Sequence, residues 1–127
     1  MTTAVKRRPK HLDLRKIQLP LPGLVSILHR VSGAVLFLFI PLGLFALQGS
    51  LASEQGFGVW TGLFGHPLVK LIVIGFIWAG VHHLLAGIRY LLLDVHIGVA
   101  LQPARLSSKI VIALSLAITL LLAIKLW

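Results

Sequence analysis

Three apolar runs divide the chain. The one from Leu68 to Leu93, LVKLIVIGFIWAGVHHLLAGIRYLLL, would span roughly 39 Å as a helix. A hydrocarbon core is about 30 Å thick, so this run can cross a bilayer with some tilt. An earlier run, LVSILHRVSGAVLFLFIPLGLFAL, opens at Pro22-Gly23, where proline suits the first helical position. Pro41 lies inside it and predicts a kink, because the carbonyl of Phe37 loses its helical partner. The last run, from Lys109 to Trp127, is rich in Ile, Leu and Ala, with Ser115 and Thr119 as the polar groups of its middle. The pattern predicts an all-α membrane protein with three transmembrane helices, at about 23–47, 68–93 and 109–127. Residues 1–22 form a basic arm and 23–127 the membrane unit.

The stretches between the runs set the ends. Pro9, Pro20 and Pro22 exclude a continuous helix over the arm. An extended or irregular arm lying on the membrane surface or against a soluble partner is expected there, or else a disordered basic tail. Gln48 to Pro67 reads as a connection rich in Gly and Ser, with His66 as a cap or surface residue. Asp94 to Lys109 reads as a short polar link, with Ser107 and Ser108 as N-caps of the third helix. Lys125 and Trp127 suit an interfacial anchor.

Composition narrows the class. Of 127 residues, 57% are hydrophobic and 12% charged, too apolar for a soluble domain of this size. The absence of cysteine excludes disulfides, cysteine-ligated iron–sulfur clusters and thiol chemistry on this chain. A net charge of +9 raises the question of nucleic acid, but seven of the twelve basic residues lie in the first 30 positions, ahead of or just inside an apolar run. Membrane orientation accounts for that placement and nucleic-acid binding does not. The proline-broken start also lacks the apolar core of a secretory signal. The arm and the second link are basic, and the first link carries Glu54 with no Lys or Arg. The N-terminus is therefore expected on the cytoplasmic side.

The polar residues inside the runs are where chemistry is sought, because an ionisable group at membrane depth costs a few kcal/mol unless satisfied. His82, His83 and Arg89 lie inside the second run. Helical spacing puts Ala79, Gly80, Ala86, Gly87 and Tyr90 on the face of His83, and such small residues leave a flat gap that would take a neighbouring helix or the edge of a porphyrin. In the first run Ser26, His29 and Arg30 share a face, with Gly33 and Ser32 beside it. The plainer alternatives are an Arg30 that snorkels to headgroups, serines bonded to their own backbone, and histidines bonded to adjacent helices.

Depth favours a heme. His83 lies seven residues, about 10 Å, deeper than Tyr90, so a porphyrin with its iron at His83 would carry its propionates to the level of Tyr90, His29 and Arg30. His82 points about 100° away from His83 and cannot sit across the same ring. Level with His83, helix one is expected to offer residues near Phe37 and helix three residues near Thr119, and neither stretch holds a ligand. A second axial ligand would then come from another chain, or the iron would be five-coordinate.

SILHRVSG (Ser26 to Gly33), preceded by RPKHLDL, and HLLAGIRYLLLD (His83 to Asp94) resemble the cytochrome b-556 membrane-anchor family of succinate dehydrogenase, over nearly the whole chain. The resemblance implies a heterodimeric helical bundle of two small anchors sharing one heme b, each giving one histidine. It implies docking of an iron–sulfur subunit and a flavoprotein subunit on the cytoplasmic face of a bacterial inner membrane. It carries the heme-iron ligand onto His83, quinone contacts onto Ser26 and Arg30, and propionate contacts onto His29 and Arg30. Family members often have His where this chain has Tyr90, whose hydroxyl is the substitute contact. No covalent catalysis on this chain is implied: Ser26 would donate a hydrogen bond to a ubiquinone carbonyl, and Arg30 would stabilise the negative charge that develops on reduction. A fumarate reductase anchor and a non-redox structural membrane protein are the alternatives.

Overall fold

The computed structural model describes residues 18–127; the expected arm over 1–22 therefore lies mostly outside the described residues. Four helices follow one another: α1 (Leu21–Leu51), α2 (Glu54–Gly65), α3 (Pro67–Asp94) and α4 (Leu101–Leu126). Among the described residues there is no strand. α1, α3 and α4 are each long and apolar enough to span a membrane, with mean hydropathies of 2.1, 2.0 and 2.3.

Local chemistry explains most of the boundaries. Pro22 stands in the first turn of α1, and Pro41 is carried inside a helix that continues to Leu51. Ser53 caps α2 by accepting from the Gly56 amide at 2.9 Å, with Glu54 in the first turn. His66 is a cap, as expected: its Nδ1 accepts from the Leu68 amide at 3.2 Å, and Pro67 opens α3. α3 closes in a Schellman turn, His96 bonding back to the Leu93 carbonyl and Ile97 to that of Leu92. His96 occupies the left-handed position usually given to glycine, at φ 63°.

Two elements differ from expectation. The Gln48–Pro67 connection contains a helix, because Ser53 and Glu54 start α2 despite its four glycines. α4 begins at Leu101 rather than Lys109. Pro103 falls in its first turn, where a missing N–H costs nothing because that donor would be unbonded anyway. Ser107 and Ser108 are therefore inside the helix, each bonding the Ala104 carbonyl (3.2 and 2.7 Å) rather than capping it.

α3 is central and packs on both α1 and α4. Its buried positions are Ala79, His82, Ala86 and Arg89, spaced three, four and three, so they form one stripe. α4 answers with Ser108, Val111, Ser115 and Thr119, and α1 with Val25 and Ser32. Small and polar residues fill the interior, and large Leu, Ile and Phe side chains face outward. That is the arrangement expected where lipid surrounds the helices, since no hydrophobic force draws one apolar helix to another and close backbone approach holds them instead. At the end of the bundle away from the α3–α4 link, Lys70 donates to the backbone oxygen of Trp127 at 3.2 Å and lies 5.5 Å over its ring.

Candidate functional site

Antiparallel packing of α1 on α3 brings the polar residues of two turns together. The rings of His29 and His83 stack at 4.2 Å between centroids, 11° from parallel. Tyr90 lies 5.1 Å from the His29 ring. Next to His29 on α1, exposed Arg30 donates from Nη2 at 3.2 Å to Oγ of Ser26, about one turn earlier. Of the residues singled out in the sequence, His29, His83 and Tyr90 thus meet in one cluster, and Ser26 and Arg30 pair beside it on α1.

Contact across the helices is possible because of Gly33. A Cβ at that position would come within 2.8 Å of His83 Cε1 and 3.2 Å of Nδ1, so the imidazole lies directly on the α1 backbone. Its Nδ1 is 3.0 Å from the carbonyl oxygen of His29. A carbonyl can only accept, so Nδ1 carries the hydrogen and the lone pair of the neutral ring is on Nε2. Nε2 has no hydrogen-bond partner among the described residues. This is how protein imidazoles that bind metals are held: one nitrogen anchored through N–H to a carbonyl or carboxylate, the other free to ligate.

His82 is held differently. It is fully buried in the α3 stripe, stacked 5.3 Å from Trp78, and neither ring nitrogen has a partner among the described residues. The small residues are divided accordingly. Ala79 and Ala86, expected beside His83, share the buried stripe with His82. Gly80 and Gly87 remain with His83, and a Cβ at Gly80 would meet nothing within 4 Å. An imidazole enclosed on all sides by its own chain offers no edge to a shared ligand, whereas His83 is only half-buried.

The levels of the helices also differ from those expected: His83, expected about 10 Å deeper than His29, stacks on it. His83 faces Gly33, about one turn from Phe37. On α4, Arg89 donates to Ser107 Oγ at 3.0 Å; His83, six residues earlier, therefore stands level with about Ala113 rather than Thr119. The early start of α4 accounts for the second displacement. Neither corrected level supplies a ligand opposite His83. His29, although close, is stacked face to face. Two histidines on one iron must point Nε2 at it from opposite sides, at roughly 2 Å each, and stacked rings cannot.

One feature of the site was not assigned a role from the sequence. Arg89 is buried, and donates to Ser107 and, at 3.4 Å, to the Ala104 carbonyl, with its guanidinium 5.4 Å from the Tyr90 ring. It ties α3 to α4 and braces Tyr90. The Tyr90 hydroxyl is buried without a partner among the described residues. Among the described residues no three His, Cys, Asp or Glu side chains converge as a set for a bare metal ion. A metal already held in a macrocycle needs only an axial donor, and the free Nε2, the backbone cradle at Gly33 and the unspent Tyr90 hydroxyl fit heme.

Comparison with known proteins gives the family of the chain. Residues 4–122 match the family described as succinate dehydrogenase/fumarate reductase transmembrane subunit. The succinate dehydrogenase cytochrome b556 subunit of Coxiella burnetii is 35% identical over 122 residues, 95% of this chain and 98% of that one. The corresponding subunit of Paracoccus denitrificans is 32% identical, covering 90% and 88%. That of Rickettsia typhi is 28% identical, covering 88% and 86%.

Proposed function

The chain belongs to the succinate dehydrogenase/fumarate reductase transmembrane-subunit family, and from that membership we propose that it is the cytochrome b anchor of a succinate:ubiquinone oxidoreductase. It holds the flavoprotein and iron–sulfur subunits to the cytoplasmic face of a bacterial inner membrane, its own N-terminus on that side. With a second small membrane subunit it shares one heme b and helps to form the site of ubiquinone reduction.

The observation that carries this reading is the His83 imidazole, anchored through Nδ1 to the His29 carbonyl with Nε2 free. His83 would ligate the heme iron from this chain. His29, Arg30 and the Tyr90 hydroxyl would hold the propionates, two cation-capable groups and one neutral donor for two carboxylates. Bound there, heme supplies a one-electron redox centre whose potential is set by its axial ligands and surroundings. Ser26 and Arg30 serve the quinone. The hydroxyl donates to a quinone carbonyl, and the guanidinium, already oriented by its bond to Ser26, opposes the negative charge that builds as electrons arrive. This chain binds, orients and stabilises; succinate is oxidised on its partners.

Purification of the tagged chain from its own membranes tests the assignment. A flavoprotein and an iron–sulfur protein should copurify with a second small hydrophobic subunit, and the preparation should reduce ubiquinone with succinate. Recovery of the chain without those subunits, and without that activity, would contradict it.

A further inference from the structure

Ser32 has no part in the contacts assigned above, yet with Gly33 it is what the His83 imidazole rests on. Ser32 is 3% exposed. Its hydroxyl donates to the His29 carbonyl at 2.9 Å, and its Oγ lies 3.3 Å from His83 Nδ1. The same carbonyl accepts from Nδ1 at 3.0 Å. With the serine hydrogen committed to the carbonyl, the lone pairs of Oγ are left for the imidazole N–H, so that N–H is shared between two acceptors. Gly33 closes the edge of the ring at Cε1, where any Cβ would intrude. The His29 ring covers one face.

Resting on the assignment of His83 as axial ligand, we propose that Ser32 and Gly33 position that ligand. Ser32, with the His29 carbonyl, keeps the proton on Nδ1 and makes Nε2 a stronger base. Gly33 fixes the plane in which the ring is presented to the iron. Acceptors behind a ligating imidazole raise its basicity and fix its orientation, and a stronger donor favours the ferric over the ferrous state. A serine that merely bonded its own helix, as serines in apolar helices often do, would leave the electronics of the ligand alone.

The test uses the whole complex, co-expressed with its partner subunits, and reads the heme midpoint potential by spectroelectrochemical titration, the low-spin ferric EPR signal, and the ratio of heme to protein. Ser32→Ala should retain heme but raise the potential, because one of the two acceptors is gone, and Ser32→Thr, which keeps the hydroxyl, should return it toward wild type. Gly33→Ala should shift the EPR signal and lower heme affinity on the order of 10-fold, the scale seen when the support of a metal ligand is removed. His83→Leu is the reference and should abolish the low-spin signal. If it does, while Ser32→Ala and Gly33→Ala match wild type in potential and EPR signal, positioning is overturned and the ligand assignment stands. If His83→Leu keeps the wild-type signal, the ligand assignment itself fails and the positioning role with it.

Discussion

His82 is a costly residue for this bundle to hold. An imidazole with no exposure and no partner for either nitrogen among the described residues forfeits the hydrogen bonds it had with water, a penalty of about 1–3 kcal/mol. Leucine at that position would avoid the penalty and occupy similar space against Trp78. His82→Leu should therefore raise the thermal stability of the purified complex, by up to about 1 kcal/mol once imperfect packing is allowed for, and leave quinone reduction intact. A thermal melt that falls by several degrees would mean that His82 has a partner from elsewhere. The exposed pair on α1 is opposite in character, worth little to folding and much to function. Ser26→Ala removes one hydrogen bond, worth about 0.5–1.5 kcal/mol net. Ubiquinone reduction should weaken roughly as that implies, while succinate oxidation by an artificial acceptor persists. Arg30→Leu should lower it further, because quinone and propionate both lose a charged partner. Wild-type quinone kinetics in both variants would place the site elsewhere.

At the level of elements, the three long helices were legible because apolar length dominates everything else in a membrane chain. Helical spacing and opposite chain direction put His29 and Tyr90 at one level, but they set His83 about 10 Å deeper, whereas its ring stacks on that of His29. The details that failed to show were those written in weak signals. α2 carries Gly56, Gly58, Gly62 and Gly65, which lower its helical propensity and hide a start that the Ser53 cap and Glu54 nonetheless mark. α4 hid its first two turns behind Pro103, a residue that reads as a break and here belongs to the first turn. The missed start of α4 moved the level expected for His83 on that helix by more than a turn. The sorting of Ala79 and Ala86 with His82 depends on the rotation of α3, which spacing alone does not fix when apolar residues surround the helix. One close approach offers a direct test of α2. A Cβ at Gly49 would collide with the Trp60 indole and so separate α2 from α1. Gly49→Leu should destabilise the complex by about 1–3 kcal/mol, the usual cost of overpacking, measured as a lower melting temperature with an unchanged heme spectrum.

The whole molecule is an assembly component. Its interior is a narrow stripe of small and polar side chains, while most of its leucine, isoleucine and phenylalanine faces outward, available to lipid and to a second membrane subunit. The lack of cysteine makes its orientation easy to measure. In right-side-out spheroplasts, Gln55→Cys in α2 should react with an impermeant maleimide. Arg105→Cys, at the α3–α4 end, should react only after the membrane is opened. The reverse pattern would invert the topology and move the proposed quinone site to the wrong face. Because neither α1 nor α4 presents a ligand opposite His83, the chain expressed alone should bind heme poorly and show no six-coordinate low-spin signal. Co-expression with its partner should supply one.

The reduced-minus-oxidised spectrum of that co-expressed complex, compared with those of His83→Leu and His82→Leu, tests the central claim most directly. The low-spin heme b signal should be lost or severely altered in His83→Leu and nearly unchanged in His82→Leu, since only His83 combines an anchored Nδ1 with a free Nε2 on a half-buried ring. An intact signal in His83→Leu would contradict the account, as would a low-spin bis-histidine signal from the purified single chain.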